Sequence, residues 1–236
     1  MQILYLMNVT PFCEESVLQA ALPLVEQRRR ERIMQSKDNK NRALSLAAGV
    51  LLSYAVNRWK IDSKRALSCM IQTEVSQVLA DLSEAATKKT LCIPQTIIVA
   101  NGKPYLKDCL DIYFNLSHSG EYAVCVIADC EIGVDIQQYR KNIKEGILKK
   151  VLHESEKARY EACGEEKEAF FYHIWAAKEA YAKYTGEGLA VDFRLLCTDL
   201  AKREITDTRT DRKNELQIWE GIPNYAITVV KAVEII

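Results

Sequence analysis

Glu179 and Lys183 stand four residues apart in the run FFYHIWAAKEAYAKYTGEGL at positions 170–189. On a helix that spacing makes them neighbours, and as a solvated ion pair they contribute only a few tenths of a kcal/mol. Tyr172 and Trp175 flank the pair, so its face is not simply polar and a charge pair there asks for a reason. The strand-like EIGVDIQ at 131–137 offers one. Alternation puts Ile132, Val134 and Ile136 on one face and Gly133, Asp135 and Gln137 on the other. An acid among β-branched neighbours runs against strand preference, and Gly133 clears space beside it. Asp135 reads either as a strand-end cap of the next turn or as a partner of Glu179. In the second case two carboxylates come from separate elements with no His or Cys nearby. Such an oxygen-only set suits a hard Mg²⁺ ion holding a phosphate.

The elements that must position these groups follow from periodicity. Gly186 and Gly188 stop the helix that begins near Phe170, whose apolar stripe runs through Phe170, Ile174, Ala177, Tyr181 and Tyr184. Upstream, a strand is expected over 2–9 and a helix over 14–34, ending in Arg28, Arg29, Arg30 and Arg32. A further helix over 41–59 carries Leu44, Ala47, Leu51, Leu52 and Ala55 on its apolar face. Arg42 then lies in its first turn, where a cation opposes the dipole and a bound anion would relieve it. An additional helix is expected over 69–86, and a short strand over 96–100 leads into the turn Asn101-Gly102-Lys103-Pro104. Residues 113–119 read as strand into loop. Ser117 and His118 there suit phosphate oxygens better than nucleophilic catalysis, because adjacent residues do not form a triad and no orienting acid is in evidence. Helices are expected over 144–150 and 154–163, a strand over 195–198, and an exposed charged loop or hairpin over 199–214.

The continuous apolar strand EYAVCVIA at 121–128 returns as NYAITVVKA at 224–232, and a leading strand opens each half, at 2–9 and at 132–137. This self-similarity implies an α+β chain of two related lobes, 1–130 and 131–236. Composition narrows the setting. The 236 residues are 48% hydrophobic with a formal net charge of zero, which argues against a general nucleic-acid binder. No stretch is long and apolar enough for a signal or a membrane span. Eight cysteines without a CxxC pair read as reduced thiols in a cytoplasmic protein.

Three runs in this order, NLSHSG at 115–120, GVDIQ at 133–137 and WAAKEAYAK at 175–183, resemble the 4′-phosphopantetheinyl transferases, in the two-lobed surfactin-synthetase-activating type. That resemblance extends to about Leu189. It implies an α+β fold of two similar lobes related by a pseudo-twofold axis, with the active site in the cleft between them, in a monomer. It also implies a reaction: the 4′-phosphopantetheine arm of coenzyme A passes to a serine of an apo acyl or peptidyl carrier protein, with Mg²⁺, releasing adenosine 3′,5′-bisphosphate. Asp135 and Glu179 would hold Mg²⁺, and Lys183 would neutralise or protonate the leaving phosphate. Arg30 and Arg42 would hold the 3′-phosphate, and Lys103, Ser117, His118 and Lys178 the other phosphates, although Lys178 lies nearer the apolar side of its helix. Glu156 matches an acid that the family places near the reaction. Either Glu179 or Glu156 would take the serine proton, and the sequence does not rank them.

Two departures stand out. The segment 69–86 is longer than in comparable relatives. Gln137 stands where many have an acid, keeping an oxygen but removing one charge, so an extra water would complete the Mg²⁺ shell. The alternative is a catalytically silent module that binds coenzyme A or a carrier protein; the presence of Asp135, Glu179, Lys183 and His118 speaks against it.

Overall fold

The computed structural model describes residues 1–64, 68–99, 102–109 and 111–233. The chain divides into two compact units, Met1–Val99 with Pro104–Cys130 and Glu131–Ile236 with Ala100–Lys103. Ala100 and Asn101, the end of an expected strand and the start of the NGKP turn, lie outside the described residues.

The first unit opens with β1 (Gln2–Asn8), α1 (Glu15–Ala21), α2 (Gln27–Gln35) and α3 (Asn39–Asp62). The single helix expected over 14–34 is broken because Pro23 lacks an amide donor. It sits in a 3-10 turn, Leu22–Leu24, between α1 and α2. After α3 come β2 (Ser68–Thr73) and α4 (Val75–Thr87), then β3 (Thr96–Ile98), β4 (Pro104–Leu106), β5 (Tyr113–Ser119) and β6 (Tyr122–Ala128). Residues expected to begin a helix at 69 instead form β2. It runs parallel to β1, Ile3 opposite Cys69 and Tyr5 opposite Ile71. A parallel pair needs a long crossover, and the segment containing α3 supplies it. The sheet order is β2-β1-β6-β5. α3 packs against β1, β5 and β6, burying Leu46, Ala47, Val50 and Leu51 against Ile3, Tyr5, Met7, Ala123, Cys125 and Ile127.

The second unit runs β7 (Ile132–Gln138), α5 (Glu145–Val151), α6 (Glu154–Ala162), α7 (Lys167–Thr185), β8 (Leu196–Asp199), β9 (Glu204–Asp207), β10 (Arg212–Trp219) and β11 (Tyr225–Ala232). Its sheet is antiparallel throughout, in the order β7-β11-β10-β9-β8. The charged stretch 199–214, expected as an exposed loop or hairpin, contains β9 and the start of β10. Alternation hides Ile205, Asp207 and Asn214 while the intervening charges face outward. α7 ends at Gly186, whose φ of +78° is the left-handed stop that only glycine takes without cost. It lies on β7 and β11.

The two units repeat one arrangement of strands and helix. In each, a leading strand pairs antiparallel with the last long strand of its unit, a third strand flanks that one, and a long helix covers the same face. Among the described residues no helix is long and apolar enough to cross a membrane, and all eight cysteines are free thiols.

Candidate active site

The site is built on the contact between β7 and α7. A Cβ placed on Gly133 would come within 2.1 Å of Ala180 O and 2.6 Å of Tyr184 N. The space that this glycine clears is therefore taken by the helix backbone itself. α7 is buried on nearly every side, leaving Trp175, Glu179 and Lys183 as a half-exposed stripe at intervals of four. A helix apolar almost all round is an interior helix, and this stripe is where it meets the charged face of β7.

Asp135 is only 2% exposed. Lys183 Nζ donates to its Oδ1 at 2.7 Å and to Val134 O at 3.1 Å, and Gln137 Nε2 donates to Oδ2 at 2.7 Å. Glu179 accepts from Trp175 Nε1 at 3.2 Å. Burial pushes the Glu179 carboxyl above its ordinary range, and the negative charge of Asp135 adds to that. The two acids thus repel one another, and the charge of Lys183 offsets part of that repulsion. That arrangement favours a further cation, and its donors are carboxylate and amide oxygens, the chemistry of Mg²⁺. Among the described residues no cluster of three or more His, Cys, Asp or Glu side chains forms; the oxygen set is two carboxylates and the amide of Gln137.

Three aromatic rings brace the stripe, the flanking Tyr172 and Trp175 and, in addition, Tyr139. Trp175 stacks on Tyr172 at 6.1 Å and 8°, and Tyr172 on Tyr139 at 5.7 Å and 16°. Tyr139 OH meets His173 Nε2 at 3.0 Å. The Trp175–Glu179–Lys183 spacing carried the signal for the tryptophan; nothing in the sequence signalled Tyr139. Beside Glu179 opens a cavity of about 500 Å³, lined by Ile147, Lys150, Val151, Trp175 and Phe193.

Several expected site residues take other roles. Lys178, expected at the phosphates, is 0% exposed. Its three ammonium donors go to Glu156 Oε2 at 2.6 Å, Val151 O at 2.7 Å and Phe193 O at 3.0 Å. Glu156, expected as a base, is 1% exposed. It also accepts from His153 N and Thr198 N, both at 2.8 Å, so its carboxylate is enclosed by the fold. Lys103, expected on a phosphate, is 5% exposed and reaches Glu131 Oε2 at 2.5 Å and Tyr184 O at 2.8 Å. Burial holds its ammonium below the ordinary lysine range. It pins β7 to the end of α7.

In the first unit, Arg30 gives Nε to Leu22 O at 3.1 Å and Nη2 to Val25 O at 3.2 Å, closing the 3-10 turn rather than facing outward. Arg42 does lie in the first turn of α3, but the anion at that helix start is the chain's own. Asp38 caps it, accepting from Lys40 N and Asn41 N at 2.8 and 3.2 Å. Arg42 reaches Glu15 Oε1 at 3.3 Å, and its buried Nε has no hydrogen-bond partner among the described residues. Ser117 and His118 sit on β5 itself, not in a loop. As adjacent strand residues they point to opposite faces, Ser117 buried and His118 exposed, so they do not share one phosphate oxygen.

Residues 131–230, nearly the whole second unit, match the family model described as the 4′-phosphopantetheinyl transferase superfamily. The chain is 36% identical over 91 residues to the 4′-phosphopantetheinyl transferase psf-1 of Bacillus pumilus, a match covering 38% of this chain and 39% of that protein. It is 35% identical over 91 residues to the 4′-phosphopantetheinyl transferase Sfp of Bacillus subtilis (strain 168), covering 38% and 40%. A match to the 4′-phosphopantetheinyl transferase gsp of Aneurinibacillus migulanus is longer, 120 residues at 28% identity, covering 50% and 49%. The chain therefore spans half or less of the length of these relatives.

Proposed function

We propose that the match of residues 131–230 to the 4′-phosphopantetheinyl transferase superfamily reflects a shared activity, so that this chain moves the 4′-phosphopantetheine arm of coenzyme A onto a serine of an apo carrier protein. The observation that carries the reading is the buried Asp135, held between Lys183 and Gln137 and pressing electrostatically on Glu179. Asp135, Glu179 and the amide oxygen of Gln137 are the groups that would hold Mg²⁺. When bound, that ion would neutralise charge on the pyrophosphate.

The remaining work belongs to this chain's own side chains. The serine oxygen forms a bond to the phosphorus that carries the pantetheine arm, and the bond from that phosphorus to the bridging oxygen breaks. Adenosine 3′,5′-bisphosphate leaves with the electron pair. Lys183 Nζ, an ammonium beside the acids, meets the charge that grows on the leaving phosphate. Glu179 takes the serine proton on a carboxylate oxygen that faces the hydroxyl, because Glu156 is enclosed by its own hydrogen bonds. The cavity beside Glu179, apolar in part and edged by Lys150, suits an extended amide-bearing arm. The protein acts as a monomer in the reducing cytoplasm, where its free thiols persist.

Intact-protein mass spectrometry tests this. Apo carrier protein incubated with the chain, coenzyme A and Mg²⁺ should gain the mass of one phosphopantetheine arm, and EDTA should abolish the gain. If several apo carriers stay unmodified while coenzyme A still binds, the chain is a silent binding module, and Gln137, in place of an acid, becomes the first residue to revert.

A further inference from the structure

The Glu156–Lys178 pair joins parts of the second unit that are far apart in sequence. Lys178 lies on α7, immediately before Glu179. Its Nζ holds the carbonyls of Val151, the last residue of α5, and of Phe193 in the turn before β8. Glu156, in the first turn of α6, holds the amides of His153 and of Thr198 in β8. Each hydrogen of the ammonium and both oxygens of the carboxylate are thus used. Isolating such a pair from water is costly, and replacing a buried pair by apolar groups is often neutral for stability or favourable. Stability alone therefore does not account for it.

Its partners do. Val151 and Phe193 are two walls of the cavity that opens beside Glu179. A lysine one residue away from Glu179 thus ties both walls to the helix that carries the acid. Lys183, by contrast, keeps 28% of its side chain exposed and points to Asp135.

We infer that Glu156 and Lys178 are positioning residues, which lock the walls of the cavity beside Glu179 so that it receives the phosphopantetheine arm in register with the acid; this rests on the transferase reading above. Neither touches substrate. Loss of the pair should leave the reacting groups in place while loosening the grip on the arm.

Two measurements decide it. In wild-type protein, lysine acylation mapped by mass spectrometry should modify Lys183 and be blocked there by coenzyme A, while Lys178 stays unmodified with or without it. Acylation of Lys178 that coenzyme A suppresses would make it a direct ligand and overturn the inference. The second measurement uses the neutral double variant Glu156→Gln with Lys178→Met, whose melting temperature is followed in parallel. It should show a KM for coenzyme A raised roughly tenfold and a kcat within about threefold of wild type. A kcat fall of about a hundredfold or more at unchanged KM would make the pair catalytic. Unchanged kcat and KM in the folded variant would make it structural only. If the double variant does not fold, the wild-type labelling stands as the test. If wild type transfers nothing to any carrier, the transferase reading fails, and the dissociation constant of coenzyme A, read by calorimetry for both proteins, replaces KM.

Discussion

β1 and β7 occupy the same place in their units, and the residues they turn toward the covering helix differ in kind. Counted from the tyrosine that starts the paired strand, Tyr5 lies opposite Cys125 as Asp135 lies opposite Thr228. Ile3, Tyr5 and Met7 face α3 in one unit; Gly133, Asp135 and Gln137 hold the corresponding places against α7. The first set closes an apolar core. Its one polar tip, Tyr5 OH, donates to Asp62 at 2.7 Å, and Arg58 satisfies the same acid at 3.0 Å. The second set draws α7 close through Gly133 and then sets charge at the contact. One frame therefore serves as a packed apolar wall or as a charged contact, depending on three alternating residues of its leading strand.

The comparison breaks most severely at its glycine. Gly133→Val would put a branched side chain into the backbone of α7, at the upper end of overpacking costs, about 3 kcal/mol or more. Chemical denaturation should show that loss. Gln137→Glu sharpens the contrast from the other side: restoring a charge beside Asp135 should lower the Mg²⁺ concentration needed for half-maximal rate, and a titration of rate against Mg²⁺ reads it. An unchanged dependence would remove Gln137 from the metal set. Tyr5→Phe should reduce stability by about 1 kcal/mol, the loss of one hydrogen bond to an acid that keeps its arginine, and leave turnover intact. The effect that varies with pH belongs to the tyrosine–aspartate bond of the second unit, where Tyr181 OH donates to Asp207 at 3.0 Å. Hydrogen bonds from Arg209 hold Asp207 down to about 2. A depressed carboxyl stabilises the fold above its unfolded value, near 3.8, and that contribution fades as pH falls toward about 2. The gap in melting temperature between wild type and Asp207→Asn should therefore be full at pH 5 and close between about pH 4 and 2.

Much of this frame was legible locally. Alternation in IGVDIQ placed Asp135 and Gln137 on one face, the Glu179–Lys183 spacing placed both on one stripe, and the echo of 121–128 in 224–232 pointed to the repeated core. What stayed hidden was long-range pairing. Gly133 announced a clearing but not that a helix would fill it. Lys178 gave a hint, lying nearer the apolar side of its helix, yet its partner Glu156 is 22 residues upstream on another element. Lys103 sat in a turn motif that explained itself, so nothing marked the burial against Tyr184 and Glu131. The helix expected over 69–86 is present as α4, but residues 69–73 read as its start because a parallel strand such as β2 shows its preference only beside β1.

The measurement that bears most directly on the difference between the two strands is carrier-protein modification by wild type, Tyr5→Phe and Asp135→Asn, read by intact mass with coenzyme A and Mg²⁺. Wild type and Tyr5→Phe should both add one phosphopantetheine arm. Asp135→Asn, folded by its circular dichroism spectrum, should be slower by about a hundredfold or more. An Asp135→Asn variant that modifies the carrier at the wild-type rate would contradict the account.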